Sequence, residues 1–130
     1  MHDFRWPALI TLAVLVLLFV VAWRVGQARV KYKIIAPAMT GHPAFERAAR
    51  VQMNTIENVL LFLPALWLFA AFVSGVWSAL LGVVWLGART WYIVGYQRAA
   101  TKRGPPFALS VLVIVILALG SAWGVLHGFI

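Results

Sequence analysis

One predicted helical face, just before a long apolar segment, carries charged and amide side chains that could bind an anionic ligand. Spacings of i, i+3, i+7 and i+10 place four residues on this face: Arg47, Arg50, Asn54 and Glu57. The helix then continues into the apolar run at 59–73. Because ionisable groups are costly at membrane depth, they usually face partners, water or a ligand. The pattern therefore predicts a binding site.

A second polar face lies in the third apolar segment. Separations of 3, 4 and 7 residues again keep four side chains on one side of a helix: Arg89, Tyr92, Tyr96 and Arg103. Arg89 is near the middle of its segment, where an unpaired guanidinium would be costly. Glu57 is the acid at comparable depth, so we expect a contact between Arg89 and Glu57 that joins the second and third helices.

These two arginine-bearing faces are expected to meet at one surface of a membrane. The chain contains 11 lysines and arginines but only 3 acidic residues, so few protein carboxylates can neutralise the cations. Arginine binds carboxylates through paired hydrogen bonds in a fixed geometry. The charge balance therefore implies an external anion at the site.

Each polar group also has a simpler interpretation. Arg50, Asn54 and Glu57 could form a polar lock between helices without any ligand. Lys102 and Arg103 could anchor the third helix at lipid phosphates, and the tyrosines at 92 and 96 could belong to an interfacial aromatic belt. The sequence features considered so far leave these alternatives open.

The composition excludes an ordinary soluble protein. Of the 130 residues, 64% are hydrophobic and 11% are charged, whereas soluble domains carry about 25% charged residues. The net charge is +8, but the cations border apolar segments, which argues against nucleic-acid binding. The absence of cysteine excludes a thiolate metal site, and three scattered histidines and three acids argue against any other metal site.

Four apolar segments are each long enough to cross a membrane as a helix. They cover about residues 6–29, 44–73, 76–100 and 106–129. About 20 helical residues cross roughly 30 Å of hydrocarbon, and continuous apolar runs favour helices over the alternating strands of a barrel. The sequence therefore predicts an all-α, integral membrane four-helix bundle formed by a single domain.

The distribution of lysine and arginine predicts the orientation of these helices. Arg89 lies in mid-segment; of the other ten cations, nine lie in or beside the first and third connections, and one, Arg5, is near the N-terminus. The positive-inside rule therefore places the first and third loops in the cytoplasm and both termini outside.

The motifs resemble those of the MAPEG family, membrane-associated proteins in eicosanoid and glutathione metabolism that include microsomal glutathione transferases and leukotriene-C synthases. The segment ERAARVQMNTIE at 46–57, followed by FLPALW at 62–67, resembles the family signature. The loop PAMTGHPAFER at 37–47 and the segment ARTWYIVGY at 88–96 are similar to further family motifs. The resemblance covers nearly the whole chain, and it implies a four-helix protomer that forms a homotrimer and binds glutathione between protomers.

The resemblance also implies roles for individual residues. Carried over by position, eight residues would line the glutathione site: Arg29, Arg50, Gln52, Asn54, Glu57, Arg89, Tyr92 and Tyr96. Arg103 matches the arginine that stabilises the glutathione thiolate in the family, which makes it the implied catalytic residue. Since the thiolate is the nucleophile, a nearby cation lowers the pKa of the thiol and raises its reactive fraction.

The implied activity is that of a glutathione S-transferase with a detoxification role, with glutathione as co-substrate and no metal. The thiolate would attack a lipophilic electrophile or reduce a lipid hydroperoxide, and membrane lipids would be the other partners. Two positions depart from the leukotriene-forming branch of the family: Asn58 replaces a tyrosine, and Arg29 is followed by Val30 instead of a second arginine. These departures argue against leukotriene synthesis.

Two other classes of protein share a pattern of four apolar helices. A non-catalytic, lipid-binding relative is one, although Arg103 and the intact set of Arg50, Asn54 and Glu57 argue against it. A small multidrug-type transporter is the other. Such a transporter would carry a lone membrane carboxylate for proton coupling, whereas Glu57 is surrounded by arginines and amides.

Overall fold

Four long helices account for almost all of the chain in the computed structural model, which describes residues 3–98 and 104–129. The helices are α1 (Arg5–Tyr32), α2 (Pro43–Phe72), α3 (Gly75–Arg98) and α4 (Gly104–His127). No strand occurs within the described residues. Each helix contains a stretch long and apolar enough to cross a membrane. The all-α, four-helix membrane architecture predicted from the sequence is confirmed.

The first loop is held at both of its ends by local contacts. Lys33 ends α1 in a left-handed conformation (φ 55°), and its amide donates to the carbonyl of Arg29. At the start of α2, His42 Nδ1 accepts a hydrogen bond from the Ala44 amide at 3.1 Å. The rings of Tyr32 and His42 stack with 3.7 Å between their centroids. The loop therefore returns tightly from α1 to α2.

The opposite end of the bundle is closed by the short turn between α2 and α3. Ser74 Oγ accepts a hydrogen bond from the Trp77 amide at 3.2 Å, which starts α3 directly after the turn. A Cβ atom on Gly75 would overlap the Asp3 carbonyl, so glycine permits the N-terminal residues to pack there.

Asp3 accepts hydrogen bonds from the Arg5 side chain and amide, which lower the pKa of Asp3.

The centre of the bundle is an apolar core that also contains a buried hydrogen bond between α2 and α3. Phe62 stacks on Trp85 at a centroid distance of 4.1 Å, and both side chains are fully buried. Trp85 Nε1 donates to the Asn58 amide oxygen at 2.8 Å. By contrast, the outward faces of the helices carry exposed apolar side chains such as Phe19 and Leu60, as expected of a protein that faces lipid.

We expect Asn58→Leu to lower the free energy of unfolding by about 1–3 kcal/mol, because the buried Trp85 N–H would lose its acceptor. The change can be measured by denaturant unfolding in detergent micelles. The double variant Asn58→Leu, Trp85→Phe should recover part of the loss, since neither polar partner remains. Unchanged stability of Asn58→Leu would show that this hydrogen bond contributes nothing to the core.

Candidate functional site

A cavity of about 420 Å³ lies between the N-terminal half of α2, the C-terminal half of α3 and the loop before α2. Its volume is within the range of about 300–1,000 Å³ that is usual for small-molecule sites. Ten residues line it: Met39, Thr40, Glu46, Ala49, Arg50, Met53, Asn54, Glu57, Tyr92 and Tyr96. Those from α2 recur at i, i+3, i+4 and i+7, so one face of that helix forms a wall of the cavity.

Five of the eight residues predicted to bind glutathione line this one cavity. Arg50 and Glu57 are exposed, Asn54 is half-buried, and Tyr92 and Tyr96 are buried. The two tyrosine rings pack against each other with 5.6 Å between their centroids. The structure thus brings a cation, an anion, an amide and two phenols to the same space.

The cavity wall offers charges of both signs. Arg50 supplies a guanidinium, whereas Glu46 and Glu57 supply carboxylates. Glu46 Oε2 also accepts a hydrogen bond from the Gly41 amide at 3.5 Å, which connects α2 to the loop that carries Met39 and Thr40. Such a wall can bind a zwitterionic ligand, with carboxylates at the guanidinium and an ammonium at the acids.

Arg89 lies behind this wall and does not line the cavity. Its side chain is fully buried, and Nη1 donates to the Asn54 amide oxygen at 2.8 Å. Further hydrogen bonds reach Ser110 Oγ at 3.2 Å and Thr55 Oγ1 at 3.5 Å. The guanidinium carbon is 4.2 Å from the centroid of the Tyr92 ring.

The predicted contact between Arg89 and Glu57 was therefore wrong. Asn54 and Asn58 are one turn apart on α2, and they meet Arg89 and Trp85, which are one turn apart on α3. This register turns the intervening Glu57 away from α3, and its side chain is exposed at the cavity. Neutral oxygens, not a carboxylate, are the hydrogen-bond acceptors of the buried guanidinium.

Two other predicted ligands also lie away from the cavity lining. Arg29 Nη1 donates to the Ala38 carbonyl at 2.7 Å, and its guanidinium lies over the Phe45 ring at 4.8 Å. It therefore fastens the first loop, which in turn carries Met39 to the cavity. Gln52 is half-buried on another side of α2.

Some sequence predictions concern residues on which the structure gives no information. Arg103, the predicted catalytic residue, lies outside the described residues, as do Lys102 and the predicted end of the third segment at residue 100.

Arg47, placed on the polar face of α2 by its spacing, is half-buried and is not part of the cavity lining.

Several lining residues were not predicted. Glu46, Ala49 and Met53 share the helical face of Arg50 and Asn54, so the period of α2 contains the signal needed to find them. The loop residues at 39 and 40 could not be found this way, because only the folded path of the loop brings them over α2. Ser110, which holds Arg89 from α4, likewise depends on tertiary packing.

Asn58, one of the two positions at which the sequence departs from the leukotriene-forming branch, has a structural role. Asn58 is buried in the core, where it accepts the hydrogen bond from Trp85, and it does not line the cavity.

A larger groove of about 820 Å³ runs along the C-terminal half of α1 and the start of α2. It contains the cations Arg24 and Lys31 but no acidic residue, and none of the eight predicted ligands lines it. Volume alone would favour this groove. The smaller cavity is the better candidate site because its side chains offer both signs of charge.

Comparison with known proteins identifies the family of this chain. The model of the MAPEG family matches residues 7–123. An uncharacterized protein of Synechocystis is 47% identical over 124 residues, which cover 95% of this chain and 90% of that protein. Microsomal glutathione S-transferase 2 of Homo sapiens is 39% identical, with coverage of 84% and 74%. Leukotriene C4 synthase of Bos taurus is 37% identical, with coverage of 82% and 71%. The chain, with its four membrane-spanning helices, therefore belongs to the MAPEG family.

Proposed function

We propose that this protein is a membrane-bound glutathione S-transferase whose glutathione site is the cavity between α2 and α3. The observation that carries the proposal is the convergence of Arg50, Asn54, Glu57, Tyr92 and Tyr96 on a single cavity. Two similar proteins are named as a microsomal glutathione transferase and a leukotriene C4 synthase, which supports a reaction of this class.

The chemistry of the cavity matches that of glutathione. This tripeptide carries two carboxylates, one ammonium and two peptide groups. Arg50 can hold a carboxylate through paired hydrogen bonds, Glu57 can hold the ammonium, and Asn54 can bind a carboxylate or peptide oxygen. The buried residues Tyr92 and Tyr96 also line the cavity.

In this proposal the reaction is nucleophilic substitution by the glutathione sulfur. The thiol loses its proton to solvent water, and the cation of Arg103, which follows α3 in the sequence, stabilises the thiolate. The sulfur then bonds to an electrophilic carbon of a lipophilic acceptor, and the leaving group departs with the bonding electrons. With a lipid hydroperoxide, the thiolate would instead attack the terminal peroxide oxygen, which releases the lipid alcohol after protonation and leaves glutathione sulfenic acid. A second glutathione would then displace the hydroxyl group from that sulfur, giving glutathione disulfide and water.

Two predicted ligands fit the site only if a second protomer contributes them. Arg29 and Gln52 do not line the cavity of the single chain. In a homotrimer that binds glutathione between protomers, these side chains would complete the site of a neighbouring subunit. The exposure of Arg50 and Glu57 at the edge of the cavity is consistent with such a shared site.

The proposed orientation places this site at the cytoplasmic surface. Two residues of the first loop, Met39 and Thr40, line the cavity. The distribution of cations assigns this loop to the cytoplasm and both termini to the outside. Glutathione would then enter from water, while a lipophilic acceptor would approach from the bilayer.

The proposal is tested by adding glutathione to the purified protein in detergent. We expect an increase in thiolate absorbance and glutathione-dependent conjugation of chlorodinitrobenzene, with reactions lacking protein as the control. Glutathione binding without turnover of any electrophile would favour the lipid-binding class of relative. Proton-driven uptake of cationic compounds into vesicles would favour the transporter class and contradict the proposal.

A further inference from the structure

We propose that Arg89 is a positioning residue that fixes the orientation of the Asn54 side-chain amide at the cavity wall. The amide oxygen is held by Arg89, so that the amide nitrogen is left to donate to the ligand. This inference rests on the proposed glutathione site. It gives Arg89 a role different from the direct ligand contact that the family resemblance implies.

The orientation of Asn54 follows from the chemistry of arginine. A guanidinium has five N–H donors and no acceptor, so only the oxygen of an amide can form a hydrogen bond with it. The distance from Arg89 Nη1 to the Asn54 amide oxygen is 2.8 Å. Among the described residues, this is the one hydrogen bond of the Asn54 side chain, so these residues leave its amide nitrogen available to a ligand.

Arg89 is held rigidly enough to impose this orientation. It is fully buried, and its second terminal nitrogen donates to Ser110 Oγ of α4 at 3.2 Å. Its guanidinium also packs on the ring of Tyr92, itself a lining residue. Arg89 therefore contacts two residues of the cavity wall and is fastened to a third helix behind them.

The fixed amide defines the kind of ligand atom that binds beside it. Arg50 and Asn54 are one helical turn apart on α2, and both line the cavity. With the Asn54 oxygen committed to Arg89, both residues present donors to the same region of the cavity. That region selects a carboxylate or carbonyl oxygen of glutathione and disfavours a ligand amine.

A double-mutant cycle in glutathione affinity tests the role of Arg89. Calorimetric titration in detergent would compare wild type with Arg89→Met, Asn54→Ala and the double variant. Asn54→Ala removes the donor to the ligand oxygen, and Arg89→Met removes the group that orients this donor. Each single substitution should therefore weaken glutathione binding about tenfold. If Arg89 acts through Asn54, the double variant should bind no more than about threefold more weakly than Asn54→Ala. Multiplied effects, about 100-fold in total, would overturn the inference.

Two further variants separate positioning from a general structural role. Asn54→Asp keeps an acceptor for Arg89 but replaces the cavity-facing donor with an oxygen, so affinity should fall about tenfold or more without loss of assembly. Trp85→Phe breaks the neighbouring contact between α2 and α3 and should leave affinity unchanged within about twofold. Normal binding by Asn54→Asp would overturn the inference even if Arg89→Met fails to fold.

The wild-type titration distinguishes failure of this inference from failure of the proposed function. If wild type does not bind glutathione, the proposed site is wrong and the inference falls with it. If wild type binds and the two substitutions act independently, only the role of Arg89 is wrong.

Discussion

Replacement of Arg103 by alanine is expected to reduce glutathione-dependent turnover about 100-fold, comparable to the loss of one preorganised donor to a reacting anion. The physical reason is that the cation favours the thiolate over the thiol, and only the thiolate attacks the acceptor. Glutathione affinity should change far less than turnover, because the carboxylates and the ammonium bind at other residues. Thiolate absorbance and steady-state conjugation rates measure the two effects separately.

Arg98→Ala is the matched control for this prediction. It removes the same charge five residues earlier, at a position that we expect to serve as a membrane anchor. Arg103→Lys, which retains a cation, should preserve part of the thiolate signal. Equal binding and equal thiol ionisation in wild type and Arg103→Ala would remove Arg103 from the mechanism.

Replacement of Arg50 by alanine is expected to weaken glutathione binding about 10- to 100-fold. Hydrogen bonds to charged groups contribute about 1.5–3 kcal/mol each, and Arg50 is the cation that lines the cavity in the described part of the chain. Turnover at saturating glutathione should fall much less, since Arg50 binds the co-substrate and does not act on the sulfur. Titration calorimetry and the dependence of rate on glutathione concentration give the two quantities.

Arg24→Ala provides the control for net charge. Arg24 lies on α1 in the larger groove and not in the proposed site. Both substitutions lower the charge of the protein by one, but only Arg50→Ala should alter glutathione affinity. Equal losses in the two variants would mean that glutathione responds to the overall positive charge and not to a specific contact.

The fold was predictable from the sequence because membranes constrain it strongly. Four long apolar segments cannot remain in water, and helices satisfy their own backbone hydrogen bonds in lipid. The structure accordingly has four such helices. The start of α2 at Pro43, directly after the N-cap His42, is also expected from the sequence, because proline is favoured at the first position of a helix.

The site was predictable only in part, and Arg89 shows why. Helical periodicity identified the faces of α2 and α3 that approach each other, and five predicted residues do line one cavity. Periodicity does not determine how two helices are rotated against each other. A small rotation decides whether Arg89 meets Glu57 or Asn54, and the tertiary packing of the helices brings it to Asn54.

The contribution of the first loop to the cavity could not be predicted from the sequence pattern, for a related reason. Met39 and Thr40 reach the cavity because Arg29 holds the Ala38 carbonyl and Glu46 holds the Gly41 amide. Arg29 and Glu46 belong to polar motifs of the sequence, but their pairing with the loop backbone depends on the folded path of the chain.

A structure of the protein with bound glutathione tests the central claim most directly. We predict that glutathione occupies the cavity between α2 and α3, with a carboxylate at Arg50, an oxygen at the Asn54 amide nitrogen and its ammonium at Glu57. Glutathione bound in the groove along α1 beside Trp23 and Lys31, with the α2–α3 cavity empty, would contradict the account.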